Sequence, residues 1–206
     1  MLLKLKIILW IFQLAAFIAA SITWNKYKNT TQRYFLFFLG FVLIVEFLGY
    51  NIPKIYGIKS QFVYNIFTVI SFYFYLYWFN SILNKKLIIK VFAVAFSISI
   101  VISIFFEDFM GALWRVPLTT GTFLVLVCSG IFYYNLLNSN DIFRYQKSQK
   151  FWIVTGLLIF YIAFLPIQLF QPYLKVSSLS YGIPLTVLNI LMYGLIATSF
   201  LCLKKD

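Results

Sequence analysis

Glu46 is the residue of this chain that is best suited to chemistry within an apolar environment. It lies in the run 41–50, where nearly all other side chains are apolar, and no other acid falls within a long apolar run. Carboxyl groups in such runs usually face a protein interior or a watery cavity, because burying the charged form is costly. We expect either a neutral carboxyl that donates a hydrogen bond or a charged one that binds a cationic ligand or ion. The structural alternative is a protonated Glu46 that only links neighbouring helices.

Polar side chains at helical spacing mark three other apolar segments. The stripes are Asn65, Thr68 and Tyr75; Thr119, Thr122, Ser129 and Tyr133; and Thr186, Asn189 and Tyr193. Offsets of three, four and seven residues put side chains on one helix face. The stripes therefore predict a shared ligand pocket, although hydrogen bonds between helices would also account for them. The candidate ligand-binding residues are Glu46, Tyr50, Asn65, Thr68, Thr119, Thr122, Thr186, Asn189 and Tyr193.

The chain lacks the residues that several kinds of catalytic and cofactor site require. The chain contains no histidine, which excludes histidine zinc sites, Ser-His hydrolysis and histidine haem ligation. The sequence has neither a glycine-rich phosphate loop nor an intramembrane pair of aspartates. Glu107 and Asp108 stand near Arg115, where we expect a local ion pair but too few ligands for a metal. We predict no catalytic residues, no metal and no cofactor.

The elements that must position these residues are seven apolar runs. Of the 206 residues, 63% are hydrophobic and only 11% charged, a balance typical of membrane proteins. Since a helix of about 20 residues crosses a bilayer, the sequence predicts an all-α transmembrane bundle in a single domain, 1–206. The predicted spans lie near 5–24, 34–52, 61–83, 87–106, 116–137, 151–170 and 181–203.

The positive charge predicts an orientation in the membrane and not a nucleic-acid partner. The formal net charge is +12, but the cations are scattered over the joints between spans. Eleven cations lie in alternate joints and six on the other side, so the positive-inside rule places the N-terminus outside and the C-terminus in the cytoplasm. The richer side holds Lys26, Lys28, Arg33, Lys85, Lys86, Lys90, Arg144, Lys147, Lys150, Lys204 and Lys205.

The first span also has features of a cleavable signal peptide. Lys4 and Lys6 precede an apolar run that ends in small residues at 19–21. That interpretation would export the joint at 26–33 and reverse the charge bias of the whole chain. We therefore expect a retained helix, with Trp24 as its anchor at the far interface. Cys128 and Cys202 fall in or beside apolar runs, so a disulfide framework is not expected.

The two ends of the chain show an internal echo. A helix with an early glycine, Gly40 or Gly156, leads to a proline in the next joint and then to a helix that ends in Lys-Lys. The prolines are Pro53 and Pro172, and the lysine pairs are 85–86 and 204–205. The pattern fits a parallel repeat of three plus one plus three spans. Sequence features that unrelated membrane helices share by convergence would explain it as well. In size and span number the chain is similar to the SWEET, PQ-loop and KDEL-receptor group, but Gln171-Pro172 reverses the Pro-Gln dipeptide of PQ-loop proteins.

A second resemblance involves the last two spans. Phe151-Trp152, Gly156-Leu157-Leu158, Tyr161, Asn189 with Tyr193, and the Lys-Lys ending resemble uncharacterised multi-span proteins of Bacteroidetes-type bacteria. Some of those proteins are encoded beside sensory kinases. The resemblance implies a signalling or envelope-sensing role without catalytic residues.

Together these features favour a multi-pass protein of the bacterial inner membrane. We expect it to bind a small-molecule or lipid ligand in the outer half of the bundle and to signal to a membrane or cytoplasmic partner, because the spans leave no stretch for a soluble output domain. A small-solute or proton-coupled permease is one alternative. A structural subunit of an envelope complex is another.

Overall fold

Helices are the only regular secondary structure, apart from turns, in the residues that the structure describes. The computed structural model describes residues 2–139, 145–146, 148–170 and 178–202. Within these ranges the helices are α1 (Leu2–Ile22), α2 (Trp24–Tyr27), α3 (Arg33–Tyr56), α4 (Gln61–Leu83), α5 (Lys86–Phe106), α6 (Arg115–Leu137), α7 (Gln149–Phe170) and α8 (Ser178–Leu201). All but α2 are long and apolar enough to cross a membrane. The predicted bundle of seven apolar helices is therefore confirmed, and it indicates a multi-pass membrane protein.

The second span extends further than the sequence predicted. The prediction ended it near residue 52, before Pro53, but α3 continues to Tyr56. Proline removes one backbone donor without always ending a helix, and here it lies in the last turn. Gly57 ends the helix instead, because its left-handed conformation, with φ of 66°, turns the chain away. Its N–H donates to the carbonyl of Pro53 at 3.1 Å.

The first span ends earlier than predicted and is followed by a corner. After Ile22 the Thr23 hydroxyl donates to the Ala19 carbonyl at 2.7 Å, and the chain enters α2. Trp24 therefore belongs to this short helix and not to the end of α1. Tyr27 is buried in the corner, where its hydroxyl donates to the Ala20 carbonyl at 2.7 Å. Burial raises the pKa of Tyr27 to about 12.

Six of the long helices form a closed ring, and α5 lies outside it. Going around the ring, neighbours pack in the order α1, α3, α4, α6, α7, α8 and back to α1. Helix α5 packs against α4 and α6, and most of its apolar side chains are exposed on the outer surface. Such exposed apolar faces are stable against lipid tails, which remove the need to bury them in protein.

Successive long helices begin at opposite ends of the bundle. We call one the α1 end, where α1, α4, α6 and α8 begin. The other is the lysine-rich end, where these helices finish and α3, α5 and α7 begin. Described cations at the lysine-rich end are Lys26, Lys28, Arg33, Lys85, Lys86, Lys90 and Lys150. The cations at 144, 147, 175, 204 and 205, like Pro172, lie outside the described residues.

The two glycines of the internal echo have different neighbours in the ring. A Cβ atom on Gly40 of α3 would meet the Phe17 ring of α1 at 3.4 Å. A Cβ atom on Gly156 of α7 would meet the Met192 carbonyl of α8 at 3.1 Å. Gly40 thus faces the preceding helix of the ring, whereas Gly156 faces the following one. The resemblance between the two sequence segments does not extend to this contact.

Aromatic side chains fill the middle of the ring. Phe38 stacks on Phe74 with ring centroids 4.2 Å apart, and Phe72 lies 5.6 Å from Tyr161 across the bundle. Phe72 also explains Gly121 on α6, because any Cβ atom there would collide with its ring. Tyr75 lies 6.2 Å from Tyr161. We call these packed rings the aromatic core.

Candidate functional site

Glu46 faces helix α1. Its carboxyl group interacts with the side chains of Gln13 and Trp10, and with the charge of Lys6. Gln13 is only 2% exposed. The indole N–H is the only polar group of Trp10, so it is the donor that faces this carboxyl. The buried Gln13 carbonyl oxygen has no hydrogen-bond donor among the described residues, which leaves one acceptor unused beside Glu46.

Tyr50 lies one turn further along α3 and belongs to the same group. Its ring meets Trp10 edge to face, with centroids 5.2 Å apart. The Lys54 ammonium lies 3.8 Å from the Tyr50 centroid, and the Lys6 ammonium 5.6 Å from it. Ammonium groups are attracted by the electron-rich face of an aromatic ring. The Tyr50 ring therefore lies close to two cations at the α1 end.

Two tyrosines from other helices lie near enough to Glu46 to feel its charge. Tyr64 on α4 and Tyr193 on α8 both interact electrostatically with Glu46. Tyr64 lies directly against Gly49, where only a residue without a side chain leaves room for its hydroxyl. Tyr193 is buried and also interacts with Gln13 and Tyr75. We call the set of Lys6, Trp10, Gln13, Glu46, Tyr50, Tyr64 and Tyr193 the Glu46 group.

Asn65 holds a loop, whereas its place in a polar stripe predicted a ligand pocket. Its amide nitrogen donates to the carbonyls of Phe109 and Ala112, each at 2.9 Å, and its oxygen accepts from the Trp114 N–H at 2.9 Å. Both N–H groups of the amide are therefore used to hold the loop between α5 and α6. The geometry brings Asn65 to that loop, not to Glu46.

Four of the other polar stripe residues, including Ser129, bond to their own helices, and Tyr133 bonds to Thr155 of α7 at 2.7 Å. Thr68 donates to the Tyr64 carbonyl, Thr186 to the Gly182 carbonyl and Asn189 to the Leu185 carbonyl, each at 2.8 Å. None of these bonds involves a side chain of the Glu46 group; Thr68 bonds only to the backbone of Tyr64. Thr119 is half-buried, and Thr122 is fully buried with a hydroxyl that has no partner in the described residues.

The loop acids bond to backbone instead of forming the expected ion pair. Glu107 accepts a hydrogen bond from the Arg115 N–H at 2.9 Å, which satisfies a free donor at the start of α6. Asp108 accepts from the N–H groups of Met110 and Gly111, both at 3.0 Å. The prediction of a guanidinium partner was wrong because the nearest donors are the backbone groups of the turn. Within the described residues, no three metal-ligating side chains cluster.

A large cavity opens at the lysine-rich end, opposite the Glu46 group. Its volume is about 700 Å³. The lining residues are Thr30, Thr31, Gln32, Ile82, Leu83, Phe132, Asn135, Leu136, Ser139, Ser148, Gln149 and Lys150. No residue of the predicted ligand pocket contributes to it.

No protein family, curated protein or solved structure matches this chain. The candidate site therefore depends on the contacts of the chain itself. Of the predicted residues, the structure brings together Glu46, Tyr50 and Tyr193. The pattern analysis missed Lys6, Trp10 and Gln13, although their offsets of four and three residues put them on one face of α1.

Proposed function

We propose that this chain is a ligand-binding sensor or signalling component of the bacterial inner membrane. In this proposal a small or lipidic ligand binds at the Glu46 group, and a membrane or cytoplasmic partner responds to the bound state. The observation that carries it is the position of the Glu46 carboxyl beside Gln13 of α1, whose buried carbonyl oxygen has no donor among the described residues. A ligand with hydrogen-bond donors or a cationic group would complete these interactions.

The Glu46 group also provides a way to transmit binding. Its members come from α1, α3, α4 and α8, and three of these pairs are direct neighbours in the ring. A ligand that changes the charge or hydrogen bonding of the carboxyl therefore acts on several helices at once. Binding shifts a conformational equilibrium only when the ligand interacts differently with the two states. A buried carboxyl is suited to such a difference because its interactions are strong in a medium of low polarity.

Glu46→Ala and Glu46→Gln test the proposal. The probes are a polar lipid extract of the native membranes and its soluble metabolite fraction, added to protein in phosphatidylcholine nanodiscs. We expect at least one fraction to raise the unfolding temperature of the unsubstituted protein by several degrees. Both variants should lose this shift while their expression and ligand-free unfolding temperature change little.

Asn51→Ala is the matched control, because the Asn51 amide bonds to the Phe47 carbonyl of its own helix. It should keep the ligand-dependent shift. If the Glu46 variants lose expression and the shift equally, Glu46 has a structural role. If neither fraction stabilises the unsubstituted protein, the sensor proposal fails.

The cavity at the lysine-rich end favours a permease as the second candidate. A transporter needs access to a central site from each side in turn, and the aromatic core would then be the barrier between the two. This candidate predicts solute flux in proteoliposomes. Proton coupling through Glu46 predicts that Glu46→Gln abolishes the pH dependence of that flux.

A further inference from the structure

The cavity at the lysine-rich end has the size and composition of a binding site. Its volume of about 700 Å³ lies within the usual range for small-molecule sites, roughly 300 to 1,000 Å³. One part of the wall is apolar and comes from the ends of α4 and α6, with Ile82, Leu83, Phe132 and Leu136. The other part is polar and comes from the segment before α3 and the start of α7.

Gln149 gives this cavity an unused hydrogen-bond donor. The residue lines the cavity and is only 7% exposed, so its side chain is held within the protein. Its Nε2 atom is buried and has no partner among the described residues. An unpaired buried donor costs about 1–3 kcal/mol. A ligand oxygen in the cavity would remove that cost.

The start of α7 adds backbone donors beside Gln149. The Phe151 N–H donates to the Ser148 hydroxyl at 3.4 Å. Within the described ranges, the N–H groups of Gln149 and Lys150 have no protein acceptor. Free N–H groups and the helix dipole make the start of a long helix attractive to anions.

The described charged residues at the lysine-rich end are all cations. Lys150 lines the cavity, and the other described cations of this end lie outside its lining. Among the described acids, Glu46, Glu107 and Asp108 all lie towards the α1 end. Asp141 and Asp206 lie outside the described residues. Among the residues that line the cavity, Lys150 carries the charge, and it attracts an anion.

The opposite wall of the cavity is anchored to the corner after α1. Thr30 donates to the Tyr27 carbonyl at 2.8 Å, and the buried Tyr27 hydroxyl bonds to the Ala20 carbonyl. Gln32 is buried in the same wall. Both sides of the cavity are thus held by the fold, which lowers the entropic cost of binding.

We propose that this cavity binds the phosphate group of a small ligand or lipid headgroup at the start of α7. Gln149 Nε2, the Lys150 ammonium and the N–H groups of Gln149 and Lys150, which have no acceptor among the described residues, donate to the phosphate oxygens. The apolar wall contacts the carbon skeleton attached to the phosphate. This site is separate from the Glu46 group, so either proposal can fail without the other.

The test measures binding to the full chain in phosphatidylcholine nanodiscs. In one arm glycerol 3-phosphate is titrated by calorimetry; in the other, phosphatidylglycerol is added to the nanodiscs and its retention is counted by native mass spectrometry. We expect binding in at least one arm. Gln149→Leu and Lys150→Gln should each weaken it about tenfold, the effect of losing one hydrogen bond to a charged group.

Two matched control variants show whether the loss of binding is specific to the cavity. Gln168→Leu removes a glutamine on the same helix that is also 7% exposed but lies near the far end of α7. Lys90→Gln removes an exposed lysine at the same end that does not line the cavity. Both should bind like the unsubstituted protein. Gln149→Glu is the second variant, for use if Gln149→Leu does not fold. It keeps the side-chain size but replaces the amide donor with an acid, so it should also lose binding.

The two arms distinguish the source of the phosphate. Binding in the calorimetric arm alone supports a soluble phosphorylated compound, and retention in the lipid arm alone supports a headgroup. Binding in neither arm overturns the proposal. So does binding that the Gln149 and Lys150 variants leave unchanged.

Discussion

At the scale of single residues, the Glu46 group depends on a close contact between Gly49 and Tyr64. Gly49 lies one turn after Glu46, and a Cβ atom at this position would come within 2.5 Å of the Tyr64 hydroxyl. Tyr64 is in turn one of the side chains that interact electrostatically with Glu46. The absence of a side chain at Gly49 therefore lets α3 and α4 approach closely beside the carboxyl.

Gly49→Ala should destabilise the protein by about 1–3 kcal/mol, because the added methyl group forces the Tyr64 ring out of its place. Thermal unfolding of the purified protein in detergent measures the change. Gly130→Ala on α6 is the control, since a Cβ atom there meets nothing within 4 Å. Equal unfolding temperatures for Gly49→Ala and the control would show that α3 and α4 are not this close.

At the scale of elements, Asn65 joins the start of α4 to the loop between α5 and α6. Its three hydrogen bonds pair two carbonyls and one N–H of this loop. Glu107 contributes at the other side of the loop by accepting the first N–H of α6. One side chain on α4 thus fixes how α5 and α6 are connected, which explains why an asparagine is buried there.

Asn65→Ala should loosen this loop, because it leaves two carbonyls and one N–H without partners at a cost of about 1–3 kcal/mol. Hydrogen exchange at residues 107–114 should become faster, while exchange in the middle of α7 stays the same. Asn51→Ala is the control, as its amide bonds within α3. Unchanged exchange in the loop would contradict the bonding of Asn65.

At the scale of the whole molecule, the ring has two unlike ends. The α1 end carries the Glu46 group and the short loop at 57–60, and the lysine-rich end carries the large cavity. Between them the aromatic core fills the ring. The positive-inside rule predicts that the lysine-rich end faces the cytoplasm, and in that orientation a ligand in the cavity would come from the cytoplasm or the inner leaflet.

Cysteine labelling tests this orientation. In a Cys202→Ser background, Ile58→Cys should react with a membrane-impermeant maleimide in intact cells, and Asn138→Cys only after permeabilisation. Both positions are exposed at opposite ends of the bundle. Cys128 stays in place because it is fully buried. The reverse labelling pattern would place the Glu46 group on the cytoplasmic side.

The sequence by itself determined the seven long helices and most of their bounds. Backbone groups within a membrane must be paired inside the helix, so each apolar run of about 20 residues has only one stable structure. It also identified Glu46, whose isolation among apolar neighbours is a local property. Errors at the bounds arose at Pro53, which α3 includes, and at Ile22, after which the chain turns a corner.

Only the tertiary structure decided which side chains share a site. Helical periodicity shows that residues lie on one face, but the partner of that face depends on the order and rotation of helices far apart in sequence. For that reason Gln13 and Trp10 of α1 were missed as neighbours of Glu46, and Asn65 was assigned to a pocket although it holds a loop. The cavity beside Gln149 likewise exists only because four separate segments meet at the lysine-rich end.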